Sequence, residues 1–275
     1  MLPNLVGIGA QRSGTTWIYQ TLKGHPDVFM SQEKELNFFD NFFDKGVNWY
    51  ERFFRKSNQE KIIGEFSPTY LAHELVPQRM KEIVPEAKLI VSLRNPVDQI
   101  FSRYCYMVSR QLYDRPFDVA LGEKKFLMEE AFYYNHITRF LEYFDRSQIL
   151  ILIYEDLTRD ALSFLNQIYS FLEIDKTYIP PNVNERIHFT RMPRSQYIET
   201  SVVMIRKGLK KMRLFSLIEE LKKTNIVNRM RDLNTTRVGA FGKVDPKTRS
   251  WLNNIFAEDK EMLSALLSRD LSFWN

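Results

Sequence analysis

Gly9, Arg12, Ser13, Gly14, Thr15 and Thr16 fall within one short stretch and together have the makings of an anion site. Gly9, Ser13 and Gly14 are small enough for the backbone to turn tightly and aim successive N–H groups into one concavity. The helical pattern that begins at Thr15 and runs through Trp17, Ile18 and Leu22 brings its positive end to the same point. From Gly9 to Thr16 the spacing follows the phosphate loop G-x-x-x-x-G-K-[ST] at every place but one, because Thr15 stands where an ATP-hydrolysing loop carries its lysine. The cation sits instead at Arg12, which can grip a phosphate oxygen by a forked contact but does not bridge the β- and γ-phosphates of ATP. A donor that presents a 5′-phosphate and gives up a group less charged than phosphoryl meets these limits, and a sulfuryl group is such a group. The competing reading is a plain glycine-rich turn with a surface arginine.

Further along are residues suited to the rest of such a reaction. The stretch Ser31-Gln32-Glu33-Lys34-Glu35-Leu36-Asn37-Phe38-Phe39-Asp40 passes from alternating charge into an aromatic pair, an arrangement that holds a carboxylate at the rim of a core. An acceptor hydroxyl is a weak acid, and a carboxylate within hydrogen-bond reach contributes on the order of 10²–10⁴ in rate. Glu35 and Glu33 compete for that role, and both are also readable as solvated loop charges. Arg94 closes a continuous apolar run, Lys88-Leu89-Ile90-Val91-Ser92-Leu93, and Ser102 follows it by eight residues on a helix opened by Pro96. The pair can face one another across two helical turns; a capping or ion-pair role is the alternative for Arg94. Near the C-terminus, Arg237, Gly239, Gly242 and Lys243 form a glycine-rich basic loop that can close over a phosphate or lie open at the surface.

These residues resemble the sulfotransferases that use 3′-phosphoadenosine 5′-phosphosulfate (PAPS), above all the heparan-sulfate-type and related bacterial carbohydrate enzymes. The resemblance rests on Gln11-Arg12-Ser13-Gly14-Thr15-Thr16, on Glu35 with Phe38-Phe39-Asp40, on Glu65 with Ser67-Pro68, and on Arg94 with Ser102. It implies that residues 11–16 hold the 5′-phosphosulfate and that Arg94, Ser102 and the loop bearing Arg237, Gly239, Gly242 and Lys243 hold the 3′-phosphate and adenine. It implies also that Glu35 is the general base and that Arg12 offsets charge at the sulfuryl group. Glu33, Asn37, Phe66 and Ser67 would lie near the acceptor. Two positions depart from the family pattern: Asn37 replaces a histidine, and Phe66 replaces a lysine that approaches the transferred group. The implied donor is PAPS, its product 3′,5′-adenosine bisphosphate, and no metal is called for. The implied acceptor is a hydroxyl of a carbohydrate or glycolipid, with a small-molecule or lipid metabolite as the second choice.

The elements that must position these residues read as an α/β fold, a P-loop-like, mostly parallel sheet with helices on both faces and a helical, basic C-terminal portion. Strands are expected at Leu5–Gly9, Val28–Met30, Lys61–Glu65, Lys88–Leu93 and Ile149–Tyr154, with helices after each. Residues 113–125 read as a loop, 129–144 as one helix, 159–172 as one helix and 247–267 as one helix. The whole is expected to form one domain, residues 1–175 carrying the donor motifs and 176–275 closing the site.

Composition sets the remaining bounds. With 275 residues, 44% of them hydrophobic, the chain can bury a large core. No stretch reaches the roughly 18 apolar residues of a membrane span, and no signal-like segment precedes Leu5, so a cytoplasmic protein is expected. The single cysteine, Cys105, suits a reducing compartment and reads as a packing residue, as do His25 and His136. The net charge of +5 is concentrated between Arg186 and Arg249, which hold 16 Lys and Arg against 5 Asp and Glu. Residues 202–221 interleave apolar side chains with lysines and arginines, which suits a solvated helix face, a surface for an acidic acceptor, or peripheral contact with anionic lipid. No aromatic interleaving of the kind used to stack bases stands out in this stretch, which disfavours nucleic acid. A small-molecule kinase and a non-catalytic docking module are the rival functions.

Overall fold

A computed structural model describes residues 1–181, 183, 191–193, 235–237 and 243–275. Five strands, β1 (Leu5–Gly9), β2 (Val28–Met30), β3 (Ile62–Phe66), β4 (Lys88–Leu93) and β5 (Ile149–Ile153), form one parallel sheet in the order β2-β3-β1-β4-β5. The register runs Leu5 to Gly64, Leu5 to Lys88 and Leu89 to Ile149. Because the strands are parallel, their C-terminal ends lie along one edge of the sheet, and the strand order reverses between β1 and β4. Sheets of this kind bind ligands at that reversal.

Side chains alternate between two cores, one on each face of the sheet. Val6, Ile8, Ile63, Leu89 and Val91 face the core that holds Phe38, Phe39, Tyr50, Tyr70, Tyr133 and Trp274. Leu5, Ile62, Phe66, Ile90 and Leu152 face the other, with Trp17, Ile18, Phe164 and Ile168. The helices around these cores are α1 (Thr15–Lys23), α2 (Phe38–Asn41), α3 (Val47–Glu51), α4 (Val76–Ile83), α5 (Pro96–Ser109), α6 (Phe117–Glu123), α7 (Phe126–Glu129), α8 (Tyr133–Leu141), α9 (Tyr154–Arg159), α10 (Ala161–Leu172), α11 (Pro246–Ile255) and α12 (Ala257–Leu267).

Several elements are shorter than the apolar periodicity predicts, and tertiary contacts explain the breaks. The expected helix over 247–267 is interrupted at Phe256, which is buried and packs on Phe132 at a centroid distance of 4.9 Å. Beyond the break, the Asp259 carboxylate accepts the Tyr134 N–H at 3.1 Å and so caps α8 from another helix. The expected helix over 159–172 begins only at Ala161, because the Asp160 carboxylate caps it through the N–H groups of Leu162 and Ser163. The region expected as a loop over 113–125 contains α6, whose Phe117 packs edge-on against Phe101 at 5.1 Å.

The chain divides into two compact units. The first comprises Met1–Tyr104, Arg115–Ile187 and Asp245–Asn275; the second comprises Cys105–Asp114 and His188–Val244. In the first, Arg269 holds Asp156 through paired contacts of 2.5 and 2.8 Å, and the indole of Trp274 donates to Glu155 at 3.0 Å. In the second, β6 (Arg191–Pro193) and β7 (Thr235–Arg237) form an antiparallel pair. Cys105 is buried. No helix among the described residues is long and apolar enough to cross a membrane.

Candidate active site

The loop after β1 turns through two left-handed residues, Arg12 at φ 65° and Gly14 at φ 83°. Alternating hand in this way points neighbouring N–H groups to one side. Gly14 is the N-cap of α1, and no side chain caps the helix there, which leaves the first-turn N–H groups available to an anion. Gly14 is required on two counts: its φ, and a Cβ at this place would lie 3.0 Å from the Tyr154 ring and 3.1 Å from Leu157. Ser13 and Thr15 are buried, whereas Arg12 and Thr16 are partly open.

Arg12 is where the two predicted phosphate motifs meet. Its Nε donates to Ser102 Oγ at 3.2 Å, and Arg94 Nη1 donates to the Arg12 carbonyl at 3.3 Å. The Arg94 guanidinium lies over the Tyr154 ring, 4.9 Å from its centroid. Behind it, Asn95 Oδ1 accepts the N–H groups of Val97 and Asp98 and caps α5, while the Asn95 N–H donates to Glu155 Oε1 at 3.0 Å. Gln99 Nε2 donates to the Gln11 carbonyl at 3.2 Å. Gln11, Arg12, Ser102 and Arg94, set on three different elements, are thus one connected group at the reversal between β1 and β4.

The carboxylate side of the site follows β2. Glu35 is left-handed at φ 67° and Asn37 at φ 51°, and the Glu35 N–H donates to the Phe66 carbonyl at the end of β3, 3.0 Å away. The Glu35 side chain is 48% exposed and pairs with Lys34 Nζ at 3.0 Å, while Lys34 is 16% exposed. Glu33 is exposed as well. Asn37 Oδ1 and Asp40 Oδ2 meet the Thr69 hydroxyl at 3.2 and 2.5 Å.

Two of the residues expected at the acceptor lie inside the protein instead. Phe66 is fully buried, because its place at the end of β3 faces the core of Trp17 and Ile18, and its ring covers Gly7 so closely that a Cβ there would be 2.2 Å away. Ser67 is fully buried too, its Oγ donating to Glu65 Oε2 at 2.7 Å and accepting the Asn37 N–H at 3.0 Å. Gly239, Gly242 and residues 202–221 lie outside the described residues. Arg237 belongs to β7 and the exposed Lys243 to the second unit.

A small, partly open hollow lies beside the loop, between Ala10, Gln11, Pro68, Thr69, Gln99 and Glu130. Gln99 Oε1 and Glu130 Oε2 are buried and have no hydrogen-bond partner among the described residues. Burial raises the Glu130 carboxyl, with Arg103 opposing. Tyr154, Glu155 and Gln99 are not among the site residues read from the sequence, although Gln99 precedes Ser102 by three and so shares its helix face. His25 and His136 are both structural: His25 Nδ1 accepts the Asp27 N–H at 3.0 Å, and His136 contacts the Glu129 carbonyl at 2.8 Å. Among the described residues no group of His, Cys, Asp and Glu is arranged to hold a metal ion.

The sulfotransferase-domain family matches residues 3–210, which take in the β1 loop, Glu35, Arg94 and Ser102. The chain belongs to the sulfotransferase family. It is 29% identical, over 68% of its own length, to the mouse (Mus musculus) bifunctional heparan sulfate N-deacetylase/N-sulfotransferase 4, of which it covers 24%. It is 28% identical, over 63% of its length, to the mouse heparan sulfate glucosamine 3-O-sulfotransferase 6, of which it covers 53%. The chain therefore spans between about a quarter and a half of these two relatives. The solved sulfotransferase from Alicyclobacillus acidocaldarius has the same fold, with a TM-score of 0.74 at 22% identity over 100% of this chain and 99% of that one. The parallel sheet with helices on both faces is thus the sulfotransferase fold.

Proposed function

We propose that this sulfotransferase moves a sulfuryl group from PAPS to an acceptor hydroxyl, and that the acceptor is a carbohydrate or glycolipid. The observation that carries this reading is the meeting of Arg12, Ser102 and Arg94 at one turn, with Arg12 Nε on Ser102 and Arg94 on the Arg12 carbonyl. Two guanidinium groups, one within the nest and one at the end of the neighbouring strand, suit a nucleotide that carries phosphate at both its 5′ and 3′ positions. Thr15, in the place of the ATP-binding lysine, argues against a kinase.

In this reading residues 11–16 hold the 5′-phosphate, and Arg94 with Ser102 holds the 3′-phosphate. The family resemblance assigns the loop bearing Arg237, Gly239, Gly242 and Lys243 to the 3′-phosphate and adenine as well. Bound PAPS supplies an activated sulfuryl group whose leaving group is a phosphate. Arg12 offsets the negative charge that develops there, and the preset N–H groups of the loop need no rearrangement to do the same. Glu35, an open carboxylate beyond β2, takes the proton of the acceptor hydroxyl, with Glu33 as the competing base and Asn37 beside it as an acceptor contact. The single buried Cys105 suits work in the reducing cytoplasm. The heparan sulfate enzymes among the relatives support a glycan acceptor; a small hydroxylated metabolite or lipid is the alternative.

Calorimetric titration with 3′,5′-adenosine bisphosphate, 5′-AMP and ATP tests the donor site. Marked preference for the bisphosphate is expected. ATP binding as tight, with Mg-dependent turnover, returns the kinase; no nucleotide binding together with adsorption to anionic vesicles returns the docking module. The substitution Glu35→Gln is expected to cut turnover of PAPS with desulfated heparan sulfate by about 10²-fold or more while leaving bisphosphate affinity in place. Full activity in that variant would move the base to Glu33.

A further inference from the structure

Glu65 is fully buried, and no cation contacts it among the described residues. It is held by hydroxyls: Tyr70 at 2.8 Å and Tyr50 at 3.2 Å donate to Oε1, and Ser67 at 2.7 Å donates to Oε2. Burial accordingly pushes the carboxyl up to about 7, with the three hydroxyls opposing and Asp40 adding to the rise. A buried acid without a counter-ion is costly to keep and calls for a reason.

Two of the three hydroxyls have a second partner, and it is the same stretch of chain in both cases. Ser67 Oγ accepts the Asn37 N–H at 3.0 Å, and the Tyr70 hydroxyl accepts the Phe38 N–H at 2.8 Å. Each hydroxyl has one proton to give. In its ionised form Glu65 draws that proton toward itself and so turns the lone pairs of Ser67 and Tyr70 toward the backbone N–H groups that follow Glu35. That backbone needs the support, since Glu35 and Asn37 both adopt a left-handed conformation that disfavours side-chain-bearing residues.

We infer that Glu65 is a positioning residue: through Ser67 and Tyr70 it anchors the left-handed turn that presents Glu35 at the end of β3. Tyr50 is the internal control. Its hydroxyl reaches Glu65 but receives no N–H from the turn, so it shares the burial and the carboxylate without the anchoring role. The inference rests on Glu35 as the base for its consequence in catalysis, and on the hydrogen bonds alone for its consequence in structure.

The test uses the full chain in four variants, Tyr70→Phe, Ser67→Ala, Tyr50→Phe and Glu65→Gln, with Glu65→Leu added where it folds. Hydrogen exchange read at the Asn37 and Phe38 amides, without ligand, reports the turn. Tyr70→Phe is expected to speed exchange at Phe38 and Ser67→Ala at Asn37, each by about tenfold or more, since each leaves a buried N–H without its acceptor. Glu65→Leu should release both amides. Tyr50→Phe should release neither, and Glu65→Gln, which keeps an oxygen toward Tyr70, should hold Phe38 near the parent rate.

Turnover of PAPS with desulfated heparan sulfate should fall in step with the released amide while bisphosphate affinity stays unchanged. Equal effects of Tyr50→Phe and Tyr70→Phe would overturn the inference, because a general packing role treats them alike. Unchanged exchange in Tyr70→Phe and Ser67→Ala would overturn it as well. Loss of amide protection together with an active Glu35→Gln enzyme would leave the anchor standing and remove the base.

Discussion

At the scale of single residues, the site depends on backbone hand as much as on side chains. Arg12, Gly14, Glu35 and Asn37 are all left-handed, and three of the four carry side chains. Gly14 is the most exacting, because its conformation strains any side chain and a methyl group there would crowd the Tyr154 ring. Gly14→Ala should destabilise the protein by about 1–2 kcal/mol from conformation alone. It should also weaken 3′,5′-adenosine bisphosphate binding, since the first-turn N–H groups shift with it; thermal melts with and without the bisphosphate read both effects. That the loop, Arg94 and Ser102 lie together was legible in the sequence because their spacing is local. The burial of Phe66 and Ser67 was not, because the motif gives their order along the chain, whereas strand alternation and the placing of Gly7 decide which way each side chain faces. The Glu65 anchor was out of reach, because its hydroxyls come from positions 50, 67 and 70 and converge only when α3 folds over β3.

At the scale of elements, the five strands were readable as short apolar runs closed by glycine, proline or charge, and each lies within a residue of its expected place. Helix ends were less readable, because distant groups fix several of them. The N-terminus of α8 is the clearest case. Its Tyr134 N–H is capped by Asp259 of α12, a residue 125 positions away. Burial raises the Asp259 carboxyl to about 6 even though the N–H groups of Tyr134, Tyr133 and Asn135 pull it down. Asp259→Ala should therefore cost about 1–3 kcal/mol, the usual penalty of leaving buried N–H groups without an acceptor. Amide exchange in the first turn of α8 should rise more than exchange in α4, which has no such dependence; equal change in both would make the effect a global one.

At the scale of the whole molecule, buried titrating groups tie stability to pH. Glu65 holds its proton up to about 7 in the fold, whereas the unfolded chain loses it near 4.5. Its contribution is thus complete below 4.5 and disappears as pH rises through 7. Asp259 acts in the same sense between 3.8 and about 6. His136 acts in the opposite sense: burial lowers it from 6.5 to about 4, so its contribution is complete above 6.5 and fades as pH falls toward 4. Below pH 6 the opposing terms offset one another in part. Between about 6.5 and 7.5 Glu65 is the one of these three groups that still titrates, and its share of the stability, read as Tm, should decline with rising pH. Differential scanning calorimetry across that interval should show the decline in the parent and a flatter course in Glu65→Gln. A parent Tm that climbs with pH there would contradict the assignment.

The contact between Gly7 and Phe66 also limits which substitutions the core accepts. The ring occupies the space that any side chain at position 7 would need, so these two neighbours on adjacent strands cannot change independently. A side chain at position 7 would need a smaller or re-aimed residue at position 66, so the pair forms a single unit of variation in this core.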